Sequence, residues 1–311
     1  MNFQSVSTAQ KLPALVANVV TGGYLADGVT PGPLLTNALI FVDSKLAAMQ
    51  SAIASSSKNA STVIILTAKH GQSPKIPASL IRIKDSTIMT ALNAAWAKKS
   101  GAVKDLVALT ANDNGMQIWL SNRTAAAVQF AKLFIMSYSG VGTTISPPYA
   151  TRAFNSSGLV SIYAGKDACT FYGVSYPDGR APDIVGISAY GVVYTGGVKK
   201  ISEHGGFNTE DRNVPIVISG SCLPKGNAGV TITSNVMTTQ VGPTILSLLG
   251  LDPYRLAAVQ IEKTAVLPIL YTATVTATTT TTTLTSSAST TKSLAASIAG
   301  LSLTLSTFFF M

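Results

Sequence analysis

The feature that most constrains this chain is a pair of patterns between Pro33 and Gly71. Leu34, Leu35, Ala38, Leu39, Val42, Leu46, Met49 and Ile53 recur at helical spacing behind Pro31 and Gly32. The run Thr62-Val-Ile-Ile-Leu-Thr67 follows, nearly all apolar, as expected of a central parallel strand buried on both faces. A helix feeding such a strand is a βαβ-like unit and predicts an α/β domain. The strand empties into Ala68-Lys-His-Gly71, which puts His70 at its carboxyl end, where open α/β sheets gather ligands.

Only two histidines occur, and the second also precedes glycine, in Ser202-Glu-His-Gly-Gly206 ahead of the strand-like Val214-Pro-Ile-Val-Ile218. Two His-Gly turns far apart in sequence can converge on one crevice. Between them the spacing predicts a short strand at Leu80–Ile83, a helix opened by Asp85 and running to about Lys99, and a hairpin over Val107–Leu120 turning at Asn112-Asp-Asn-Gly115. An amphipathic helix follows at Thr124–Tyr138. Strands are expected near Leu159–Tyr163, Asp183–Ser188 and Val214–Ser219, and a short helix at Pro243–Leu249. Residues 139–180 are otherwise Gly-, Ser- and Pro-rich.

Composition narrows the function classes. Apolar residues make up 47% and charged residues 11%, so the chain is not disordered throughout. The net charge of +9 comes from few acids, 13 against 22 Lys and Arg, and no basic run occurs. Nucleic-acid binding, which calls for a clustered basic stripe with aromatics, is therefore not expected. Cys169 and Cys222 are the only thiols. They are either one disulfide or two buried small hydrophobes, and neither has metal-ligand spacing.

Composition shifts sharply near Tyr271, which divides the chain into 1–270, a Thr/Ser-rich 271–293 and a hydrophobic 294–311. Six consecutive threonines at 278–283 mark the middle stretch, which is expected to be a disordered, O-glycosylated stalk. Leu294–Met311 is uncharged and ends in Phe308-Phe-Phe-Met311. Small residues, a polar spacer and an apolar terminus are the pattern of a glycosylphosphatidylinositol signal, with Ser286, Ser287 and Ala288 as attachment positions. A membrane-inserted helix and an uncleaved tail are the other readings. Sequons at Asn59, Asn122 and Asn155 fit a secreted, cell-surface glycoprotein. Met1-Asn-Phe-Gln-Ser-Val-Ser lacks the basic start and apolar core of a signal peptide and reads as an internal strand.

The blocks Ile64-Ile-Leu-Thr-Ala-Lys-His-Gly71 and Glu203-His-Gly-Gly206, with Arg180-Ala-Pro-Asp-Ile-Val185 and Val241–Pro253, resemble the alkaline-phosphatase superfamily, and within it type I phosphodiesterase/nucleotide pyrophosphatase-like proteins. The resemblance covers about Met1 to Pro268. It implies an alkaline-phosphatase-like α/β domain, a mixed or parallel sheet flanked by helices, that lacks the family's N-terminal part with the nucleophile. It also implies hydrolysis of phosphate esters with divalent metals, zinc foremost, that activate a Thr or Ser and stabilise charge on phosphoryl oxygens.

Carried over residue by residue, His70 and His204 match metal-ligand positions. Lys69 stands where relatives have a ligand aspartate. An ammonium cannot coordinate, but it can hold a phosphate oxygen as a point charge. The other ligands of the His204 metal map, by the Gly32-Pro33 landmark, onto Leu25 and Val29, which cannot bind a metal, with Asp27 near but out of register. Glu203 and Asp211 are candidates to support the ligands from behind. With no nucleophile and this depleted ligand set, the chain is expected to lack hydrolase activity. The alternative is a non-catalytic cell-surface glycoprotein with a degenerate phosphodiesterase fold.

Overall fold

A computed structural model describes residues 1–13, 15–16, 19–20, 22–145, 150–223 and 228–270. The expected stalk, hydrophobic terminus and attachment serines lie outside them. Helices are α1 (Ser5–Lys11), α2 (Pro33–Ala54), α3 (Asp85–Ser100), α4 (Ala125–Ser137), α5 (Lys166–Phe171), α6 (Thr209–Arg212), α7 (Val241–Leu248) and α8 (Ala257–Glu262). Strands are β1 (Leu15–Val16), β2 (Val19–Val20), β3 (Val63–Thr67), β4 (Ile81–Ile83), β5 (Val107–Asn112), β6 (Gly115–Leu120), β7 (Gly140–Thr143), β8 (Thr151–Phe154), β9 (Leu159–Ala164), β10 (Ile184–Ser188), β11 (Val192–Tyr194) and β12 (Ile216–Gly220). The fold is mixed α/β, with parallel and antiparallel pairings flanked by helices. Among the described residues no helix is long and apolar enough to cross a membrane.

Two compact units form, one from Met1–Val42 with His70–Arg212, the other from Asp43–Lys69 with the described residues from Asn213 onward. The first holds two four-stranded sheets. One runs β5-β6-β10-β9, antiparallel throughout, and the other β11-β4-β7-β8, with β11 and β4 parallel. Ile88, Leu92 and Trp96 line one face of α3 at i, i+4, i+8 spacing, and Val128, Ala131 and Ile135 line one face of α4. Both faces enter a single core with Met116, Ile118 and Ile184. At about 1.5–3 kcal/mol for each large side chain removed from water, this core is the main source of the unit's stability. Thr124 starts α4 by accepting from the Ala127 amide at 3.4 Å.

Several expectations are corrected. Met1–Ser7 is not a strand: Ser5–Lys11 is helical, and Ala9 packs with Leu35 and Ala38 of α2. Thr62–Thr67 is not a central parallel strand. Among the described residues β3 pairs only with β12, antiparallel, and its residues are half-buried. A continuous β-branched run marks a strand but carries no information on pairing direction. The Gly/Ser/Pro-rich 139–180 segment holds β7, β8 and α5 besides the expected β9, and β11 and α8 also went unforeseen. Cys169 is buried, Cys222 is exposed, and both are free thiols, so the small-hydrophobe reading holds for Cys169 alone.

Candidate functional site

The first unit brings the two His-Gly turns together. The rings of His70 and His204 lie 4.0 Å apart between centroids, tilted by 36°. His70 Nδ1 is 2.9 Å from the carbonyl oxygen of Gly71, so that nitrogen carries the proton and donates. The Nε2 lone pair of a neutral His70 is then the one free to ligate. Both side chains are partly exposed.

Backbone pairing sets this approach. Ser73 and Glu203 form an isolated antiparallel bridge, exchanging N–H···O bonds of 3.0 and 2.9 Å. The Gly71 amide donates to Asp211 O at 2.7 Å, and the Asn114 amide donates to His204 O at 3.1 Å. A Cβ on Gly71 would fall 1.8 Å from Glu210 O, so only glycine permits that turn to close against α6. On the other side Ile201 N donates to Lys11 O at 2.9 Å and Ser202 Oγ to Gln10 O at 2.9 Å, so the unexpected helix α1 braces the second turn.

A buried polar knot lies between the turns. The Asn114 side-chain amide donates toward Ser73 Oγ at 2.7 Å, Ser73 O at 2.9 Å, Glu203 O at 2.9 Å and Asp211 Oδ1 at 3.2 Å. Ser73 Oγ in turn donates to Asp211 Oδ2 at 2.6 Å. Asn114, Ser73, Glu203 and Asp211 are all buried. Burial pushes the Asp211 carboxyl above the usual carboxylate range, against the hydrogen bonds from Ser73, Asn114, Gly206 and Asn208. Burial pushes Glu203 up as well, but Lys200 at 2.6 Å and Lys11 at 2.9 Å outweigh it and hold its carboxyl below that range.

Each expected site residue therefore has a place. His70 and His204 meet. Glu203 and Asp211 lie behind the same turns, held in an ion pair network and in the knot. Lys69 is exposed and belongs to the second unit. Asp27 is exposed and closes its own turn, accepting from Val29 N at 2.9 Å and Thr30 N at 2.8 Å, while Leu25 and Val29 are exposed apolar residues. Asp183 of the Arg180–Val185 block is buried and structural, bound by Arg123 Nε at 2.6 Å and Leu120 N at 2.8 Å.

These residues do not fit a closed metal site. Among the described residues no group of three His, Cys, Asp or Glu comes together to hold an ion. Two imidazoles on one tetrahedral ion, each about 2.0–2.1 Å from it, set their centroids about 5 Å apart. The observed 4.0 Å is a direct contact between tilted rings instead. Sequence reasoning missed Asn114 and Ser73. The Asn112–Gly115 signal announced a turn, and nothing in it told that its third residue faces inward.

No family model matches the sequence, and no curated protein matches it either. Among solved structures the chain is similar to human ectonucleotide pyrophosphatase/phosphodiesterase 5, at 15% sequence identity and a TM-score of 0.47, over 74% of this chain and 51% of that one, so it spans about half the length of that protein.

Proposed function

We propose that this chain is a phosphoric-ester-hydrolase-like domain that no longer hydrolyses, with the His70–His204 pair as the remnant of a metal-binding rim. The carrying observation is the 4.0 Å approach of the only two imidazoles, made by two turns that are bonded to each other through Ser73 and Glu203. The neighbouring carboxylates support the loss of catalysis. Asp211 and Glu203, which could have completed a ligand set, are buried in structural bonds to Ser73, Asn114, Lys11 and Lys200. Exposed Lys69 can hold a phosphate oxygen without cleaving the ester. The experiment is an assay of the full chain on p-nitrophenyl phosphate and its bis-ester with zinc or manganese added. The expected result is no turnover above the uncatalysed rate. Turnover that disappears in both His70→Ala and His204→Ala would overturn the proposal.

The same carboxylates favour the related reading of a non-catalytic surface glycoprotein. In that reading the Thr-rich stretch is a stalk, the protein is displayed outside the cell, and a glycosylphosphatidylinositol anchor joins near Ser286 or Ser287. Phosphatidylinositol-specific phospholipase C then releases the protein from cells. Retention after treatment rules out the anchor.

A further inference from the structure

The second unit carries an exposed apolar face of its own. Helix α7, the 3₁₀ turn Pro253–Arg255 and α8 pack in succession. Beneath them Val236 and Leu267 join Ile216 of β12 in a small core, and α7 turns Pro243 and Thr244 inward. The side chains left outside are large and apolar. Met237, Leu249, Leu251, Tyr254 and Ile261 are exposed by 62, 68, 55, 59 and 81%. Single exposed leucines are ordinary, but five such residues on adjoining elements are a cluster of the kind that marks an interaction surface.

We infer that this face is an interface with a second copy of the chain. Two observations choose that occupant. The first is area. At about 200 Å² for a large apolar residue, these five present on the order of 700 Å², near the ~800 Å² per partner of a standard stable interface. The second is charge. The same stretch, 237–263, carries Asp252 and Glu262 together with Arg255 and Lys263, two of each sign and all exposed. Such a patch has no net pull toward an anionic lipid surface or a strongly charged partner. It can complement itself across a two-fold axis, where each acid meets the other copy's base. The residues involved are distinct from both His-Gly turns, so the inference does not depend on the proposed hydrolase ancestry.

Sedimentation of the full chain in a mild detergent tests it, with concentration as the variable. At about 10 µM the expected mass is that of two chains, as an interface of this size binds with micromolar or better affinity. The double variant Leu249→Asp/Ile261→Asp is expected to sediment as a single chain, with self-association weakened more than tenfold. Its thermal melting should be unchanged when compared at a dilution where the unsubstituted protein is also a single chain, because both side chains then face solvent. If the double variant fails to fold, Ile261→Asp alone, at the most exposed position, serves in its place. A single-chain mass for the unsubstituted protein at that concentration overturns the inference, including the case in which residues 294–311 fold back over the face. So does a double-chain mass that survives the substitutions, which would assign association to another surface.

Discussion

Asn114 is the side chain through which the two histidine turns are held to one another. Its amide has four acceptors within 3.2 Å, drawn from both turns and from Asp211, and it is fully buried. Removing it takes a second donor from Ser73 O and Glu203 O, which keep their backbone N–H bonds, and a donor from the Asp211 carboxylate. A lost hydrogen bond costs about 0.5–1.5 kcal/mol, and about 1.5–3 kcal/mol where the acceptor is charged. Asn114→Ala is therefore expected to destabilise by about 2–4 kcal/mol, read as a lower urea midpoint. Asn114→Asp should be worse than alanine, since it turns a carboxylate toward two carbonyls and the Asp211 carboxylate. If alanine is tolerated within about 0.5 kcal/mol, the knot does not hold the turns. At this scale the sequence was partly legible. Two rare residues in matching His-Gly contexts pointed to convergence, while an asparagine inside a turn motif looked like turn chemistry alone.

Among elements, legibility followed length and period. The segments now α2, α3 and α4 were foreseen within a residue or two because several turns of helical spacing repeat the signal. The β5–β6 hairpin is legible because turn-forming Asn112-Asp-Asn-Gly115 separates two strand-like runs, although neither Asn114 nor Gly115 takes the positive φ of a tight Asn-Gly turn. β7, β8 and β11 were not, since strands of three or four residues carry too little alternation, and β7 is interrupted by Gly140 and Gly142. The parallel pairing expected for β3 gives way to an antiparallel one because pairing direction depends on which chain segment arrives beside it. The His-Gly turns themselves give a test that separates two roles of glycine. Gly71 has φ outside the left-handed region but no room, with Glu210 O 1.8 Å from a Cβ position, whereas Gly205 has φ +88° and nothing within 4 Å. Gly205→Ala is expected to cost about 1–2 kcal/mol through backbone strain alone. Gly71→Ala should cost about 3 kcal/mol or more, because backbone has to move. Denaturant midpoints of the two variants measure the difference, and equal losses would contradict it.

For the molecule as a whole, the question is whether any metal is part of its stability. Each unit has an apolar core of its own, and among the described residues the imidazole pair is the one candidate ligand set that comes together. Chelation should then leave the melting temperature where it was, unlike domains whose fold depends on a closed site. Among the described residues, added zinc has only the two imidazoles to act through. If it binds with a dissociation constant of about 10 µM, 100 µM zinc contributes about 1.4 kcal/mol by mass action. For units of this size that is a rise of about 3–6 °C. A closed site with nanomolar affinity would contribute about 7 kcal/mol at the same concentration, and a shift several times larger. The expected outcome is no change with a chelator, a rise of at most a few degrees with zinc, and loss of that rise in His70→Ala and in His204→Ala. Melting that collapses on chelation, or a zinc shift above about 15 °C, would mean that further ligands close around the pair and that its tilted ring contact is not the geometry the protein uses.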